Sequence, residues 1–341
     1  MSEARLSLAF EPAAHWEDTL PLLDDAICDA LERGALGIAI AAPAMVALGA
    51  RKTFPLSGIR VATFAEVLRA PLYGAVVVCC CVETGEVRLA AAVPEPLDKS
   101  IDDGEDPGQG KSGTLFQLDL FQAAGIPQKP ATWVIRVLLN DSVSNAVTVV
   151  LEPTKSVFRD PAAEALVLEM LNRPVMRALH PRPSLGPGLP SYEMLPESPP
   201  TPTEAGITLQ IKRAQLIAEK PELMVRGSFL VRVLPRDVRP PPTQDSARMR
   251  GPRATGQVPM TLLAVASHTP GAISTPLVVP TYQPLQPAGD GVTGSGAFTF
   301  DYCQLARLAV QPHTLFLYAF AGTVMSNVAA CAMVHPNQLH D

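Results

Sequence analysis

The sequence predicts an all-β chain: two tandem antiparallel β-sandwich domains from an internal duplication, with a short helical segment at the N-terminus and a helix before the linker. Three observations predict it. Apolar runs of strand length recur between turn residues, and two stretches of the chain match each other without a gap. The 35 prolines, set against 5% aromatics, favour many short segments over long helices. With 341 residues, 47% hydrophobic and 18% charged, the chain has material for more than one core.

The repeat sets the expected organisation. Setting Asp119 against Asp301 aligns 33 positions, among which Asp119/Asp301, Gln122/Gln304, Ala124/Ala306, Pro130/Pro312, Thr132/Thr314, Ser144/Ser326 and Asn145/Asn327 are identical. Upstream, Gly58-Ile59 with Leu68 and Ala70 stands at the same offsets as Gly206-Ile207 with Leu216 and Ala218. The expectation is a covering segment over 1–57, a first copy over 58–155, and a helix with a proline-rich linker over 156–205. A second copy over 206–336 and a tail over 337–341 follow.

Along the chain, a helix is expected from Pro21 to Arg33, burying Leu20, Leu23, Ile27 and Leu31 and stopping at Gly34. Gly37-Ile38-Ala39-Ile40 reads equally as a strand. Ala75–Val82 and Val87–Val93 flank Glu83-Thr84-Gly85-Glu86 as a hairpin; Thr114–Leu120, Thr132–Leu139 and Asn145–Leu151 complete the first copy. Asp160-Pro161 opens a helix with Leu166, Val167, Met170 and Leu171 on one face, ended or kinked at Pro174. His180–Gly206 holds eight prolines in 27 residues and reads as an extended linker. The second copy has strands Ser228–Leu234, Pro259–Ala266, Ala297–Tyr302, Thr314–Phe320 and Asn327–Val334.

The last hairpin of each copy resembles the closing strands of immunoglobulin-like or fibronectin-type domains. The resemblance is one of architecture, and it implies sandwich domains of that kind. The Cys–Trp–Cys pattern of antibody domains is absent.

Most signals of chemistry have a plainer reading. Gly110-Lys111-Ser112 ends like a phosphate-binding loop, but Glu105 stands where the motif needs its first glycine, and a strand follows instead of a helix. Gly294-Ser295-Gly296 is a glycine-rich strand entry. Asp98, Asp102, Asp103, Glu105 and Asp106 lack the alternating spacing of a calcium loop. His313 and His335 can meet across a hairpin, but a third metal ligand would have to be Cys303 or His268 from loops of unknown geometry, so no metal or cofactor is expected; His268, His313, His335 and Asp301 are the polar candidates for an enzyme. Cys79-Cys80-Cys81 sits in an apolar run as small buried residues, and free thiols in a cytoplasmic protein are expected. Asp119 and Gln122, like Asp301 and Gln304, are expected to fasten the crossing segment that follows them.

The functional candidate is the segment Pro235–Val258, expected to replace the tight turn Glu83–Glu86 of the first copy. It carries Pro240-Pro241-Pro242 and the arginines Arg236, Arg239, Arg248, Arg250 and Arg253, whose guanidinium groups suit carboxylates or phosphates. With Asp+Glu at 33 against Lys+Arg at 27, a nucleic-acid partner is disfavoured, and the longest apolar stretch, Ala35–Ala50, is too short to span a membrane. The expected function is a non-catalytic protein-binding or structural role, with a protein partner or self-association. The alternatives are an enzyme whose residues converge from separate loops, or a carrier of a small ligand or metal.

Overall fold

The structure is a computed structural model, and it describes residues 6, 8, 16–49, 53–92, 110–153, 205–217, 220–233, 256–266, 272–281, 286–288, 291–306 and 313–333. It is mostly β, with several antiparallel sheets and few helices. The N-terminal half opens with α1 (Trp16–Arg33), followed by β1 (Gly37–Ala41), β2 (Met45–Leu48), β3 (Pro55–Thr63), α2 (Phe64–Arg69) and a 3-10 turn at Leu72–Gly74. Then come β4 (Val76–Cys81), β5 (Val87–Ala91), β6 (Lys111–Asp119), α3 (Leu120–Ala123), β7 (Ala131–Leu139), β8 (Ser142–Val143) and β9 (Val147–Pro153). The C-terminal half has β10 (Gly206–Ile217), β11 (Lys220–Val233), β12 (Gly256–Ala266), β13 (Ala272–Thr281) and β14 (Gln286–Ala288). It continues with β15 (Gly291–Asp301), α4 (Tyr302–Ala306), β16 (His313–Ala321), β17 (Val324–Met325) and β18 (Ala329–Met333).

Helix α1 begins at Trp16, five residues before the expected start at Pro21, and Leu20, expected to be buried, is exposed. Its end follows from Gly34 at φ 71°: the Gly34 N–H donates to Leu31 O and the Ala35 N–H to Ala30 O, closing the last turn. Leu23 and Ala30 are buried, with Ile27 and Leu31 beside them, against Ala39, Ile59 and Val61 of β1 and β3. Alternation in the strands explains that contact, because one face of the sheet β1-β3-β6 meets α1 and the other meets the core.

The core of the N-terminal half joins that sheet to a second one, ordered β2-β9-β7-β4-β5 with β8 on β7; β2 and β9 run parallel. Ile40, Leu56 and Phe116 from the first sheet cluster with Val77, Trp133, Ile135 and Val149 from the second. In the C-terminal half, the sheets β10-β11-β15-β14 and β13-β12-β16-β17, with β18 on β16, share a core that includes Leu209, Val225, Phe298, Leu262 and Leu317. Strand β13 escaped the sequence reading because it holds Pro276 and Pro280. Among the described residues it lies at a sheet edge, paired with β12, where proline is tolerated.

Registers correct the upstream alignment. Gly58 faces Phe116 across β3 and β6, and Gly227 faces Phe298 across β11 and β15; in both, a Cβ would fall 2.2 Å from the ring Cζ. Gly58 therefore has its counterpart in Gly227. Gly206-Ile207, paired with Leu230 and Phe229, stand as Gly37-Ile38 do, paired with Val61 and Arg60. A boundary at residue 58 cuts through β3, and β1 and β2 before it belong to the two sheets. The tight turn after β4 likewise corresponds to the β12–β13 connection, whereas the arginine-rich segment joins β11 to β12, where the N-terminal half has α2.

Candidate functional site

The polar residues shared by the two halves have definite tasks. Asp119 caps α3: its Oδ1 accepts the Phe121 N–H at 3.1 Å and the Phe54 N–H at 2.9 Å. Asp301 Oδ1 accepts the Cys303 and Leu223 N–H groups, each at 3.0 Å. Ser144 Oγ accepts the Val137 N–H and donates to Asn145 O; Ser326 Oγ does the same with Ala319 and Asn327. Asn145 then grips β1 through both amide atoms, accepting the Ile40 N–H at 2.8 Å and donating to Ile40 O at 2.9 Å. Asn327 grips Leu209 of β10 in the same way, at 2.8 and 3.0 Å. Gln122 and Gln304, expected to share in fastening these segments, are exposed.

Between the halves lies a separate apolar cluster. Val76, Val78, Cys80 and Leu138 of β4 and β7 meet Leu263, Val265, Tyr318 and Phe320 of β12 and β16, all buried. The Tyr318 hydroxyl donates to Asn140 O, and Arg136 Nη1 donates to Thr323 O at 3.4 Å. Burial, with the Asp141 carboxylate second, pushes the Tyr318 phenol up, so it keeps its proton for that bond. The sequence signal for this contact was the unbroken apolar run of β4. A strand buried along its whole length has both faces covered.

The same run settles the cysteines. Cys79 and Cys81 point into the core of the N-terminal half and Cys80 into the cluster between halves. Burial pushes the Cys79 thiol up, and burial outweighs the opposing Arg136 charge to push Cys80 up to about 12. Cys303 is pushed up to about 11, again chiefly by burial. All six cysteines are free thiols, and of them only Cys28 is exposed. These buried sulfurs pack as neutral side chains.

At the far side of the C-terminal half, the outer face of β10 and β11 carries Thr208, Gln210, Arg226 and Ser228 around Gly227, lining a concavity of about 240 Å³. The Thr208 and Ser228 hydroxyls are 2.7 Å apart. Of the residues singled out in the sequence, Arg236, Arg239, Arg248, Arg250 and Arg253 lie outside the described residues, as do His268, His335 and the acidic stretch Asp98–Asp106. The predicted helix at Asp160 also lies outside them. His313 pairs through its backbone with Met333, and its side chain is outside the described set. Lys111 and Ser112 open the strand β6, where the phosphate-binding motif has a helix. Among the described residues, no three His, Cys, Asp or Glu side chains come together to hold a metal ion, and no helix is long and apolar enough to cross a membrane.

No family model matches the chain, and no curated protein matches it.

Proposed function

We propose that the chain is a non-catalytic binding or assembly protein, built from two copies of one antiparallel β-sandwich domain of the immunoglobulin-like or fibronectin-like kind. In this reading the first copy runs from Gly37 to Pro153 and the second from Gly206 to Met333. The observation that carries it is the use of the shared polar residues. Asp119 and Asp301, Ser144 and Ser326, Asn145 and Asn327 bind backbone groups at matching positions, which is the work of a scaffold. The matching glycine–phenylalanine registers support the two-copy part.

Partner contact then falls to what differs between the halves. The arginine-rich segment, with Arg236, Arg239, Arg248, Arg250 and Arg253, is the proposed contact, and its partner is an acidic protein surface, on another protein or on a second copy. Free thiols at every cysteine fit a reducing compartment, and the cytoplasm is the proposed location.

Size-exclusion chromatography with light scattering tests the reading, on the full chain and on a chain lacking Pro240–Arg253, each alone and mixed with poly-glutamate. The expected result is association by the full chain, with itself or with the acidic probe, lost on deletion. A 36.2 kDa monomer under every condition would overturn the proposal.

A further inference from the structure

We infer that the two halves are joined as an internal dimer, through a two-fold, self-matching interface that also fits the opposite half of a second copy of this chain. The same strands and positions serve on both sides. Val78 pairs with Arg136 between β4 and β7, and Leu263 pairs with Tyr318 between β12 and β16. Arg136 directly precedes Val137, whose N–H meets Ser144; Tyr318 directly precedes Ala319, whose N–H meets Ser326. Each strand then turns at a residue of positive φ, Asn140 at 53° and Gly322 at 58°.

The cross-contacts run in both directions between these positions. Tyr318 of the C-terminal half donates to the turn of the N-terminal half at Asn140. Arg136 of the N-terminal half donates to the turn of the C-terminal half at Thr323. Residue i reaches the partner's turn while the residue at its place in the partner reaches back, which is the signature of an isologous interface. The apolar centre obeys the same rule, with Val78, Cys80 and Leu138 opposite Leu263, Val265 and Phe320. Each of these has its counterpart at the same register in the other half.

Such an interface does not depend on the chain that connects its sides. Residues 154–204, a stretch of 51, join the halves. Joining two partners in one chain makes their association intramolecular, and cutting the connection leaves the interface to hold the halves alone. The inference rests on the registers and contacts, and it extends the two-copy reading without using the arginine-rich segment.

The test is the full chain with a protease site inserted after Leu185, cleaved after folding and with Pro240–Arg253 left in place, so that its outcome is separate from that of the partner proposal. The expected result is co-elution of the two fragments as one species at micromolar concentration, with uptake of a fluorescent fragment from a second cleaved preparation. Tyr318→Phe and Arg136→Ala each remove one cross-contact while leaving both cores intact, and each weakens fragment association about fivefold. Two separate fragment peaks from the unsubstituted protein, or a complex that takes up no labelled fragment, would overturn the inference. Unchanged association in both variants would overturn the part given to the cross-contacts.

Discussion

In the N-terminal half, the sheet β1-β3-β6 turns Ala39, Ile59 and Val61 outward, and α1 covers them. The same registers in β10 and β11 carry Thr208, Ser228 and Leu230; Thr208 is exposed and Ser228 is half-buried. The inner faces, by contrast, agree closely, down to the asparagine that grips the edge strand and the phenylalanine lying over a glycine. Core packing and backbone satisfaction constrain the inner positions, whereas the outer face need only suit whatever lies against it. In one half that is a helix of the same chain.

Exchanging the outer faces gives the largest expected effect. Ile59→Ser puts a hydroxyl beneath α1 and removes apolar burial; we expect a loss of about 3–4 kcal/mol in chemical denaturation. The reverse change, Ser228→Ile, is expected to cost under about 1 kcal/mol, because the site is only half-buried and loses one hydroxyl contact. Equal costs would mean that the two faces are not the counterparts the registers make them.

The glycines sharpen the comparison from the inside. The three atoms nearest a Cβ at Gly58 all belong to the Phe116 ring, and a ring can shift; at Gly227 they include, besides Phe298, Thr208 O at 2.7 Å, which is backbone. Expected losses in thermal or denaturant melts are about 2 kcal/mol for the first and about 3 for the second. Removing the edge-strand grips, by Asn145→Ala or Asn327→Ala, should cost about 1–2 kcal/mol each.

The smallest effect concerns the thiols. At neutral pH iodoacetamide should modify Cys28 in the native protein and spare the other five, with mass spectrometry counting one adduct. The Cys80 thiol ionises at about 12 when folded, against an ordinary value of 9.0. Its neutral form is the one the folded state favours. That contribution is therefore complete below pH 9 and is lost as pH rises from about 9 to 12. Stability rising over that range would contradict the burial.

Much of this was legible in the sequence. Asp119, Ser144 and Asn145 announced themselves through a gap-free match because β6 to β9 lie at one constant offset from β15 to β18, with Asp119 and Asp301 182 residues apart. The rest of the correspondence changes offset. Gly58 and Gly227 are 169 residues apart, and Val77 and Leu262, at matching registers, are 185. A single frame cannot follow loops of different length, and short apolar strands carry too little identity to reveal the shift. Gly206-Ile207 consequently matched Gly58-Ile59 when Gly37-Ile38 was the pair in the same place. The contact between halves was legible only as an unbroken apolar run in β4, since Tyr318 and Arg136 gain their meaning from strand pairing.

Amide hydrogen exchange on the full chain and its two asparagine variants tests most directly that one side-chain plan closes both halves. The account predicts that Asn145→Ala raises exchange at Ile40 and along β1 while β10 stays protected, and that Asn327→Ala raises it at Leu209 and along β10 while β1 stays protected. Unchanged protection at both amides, or loss at the edge of the opposite half, would contradict it.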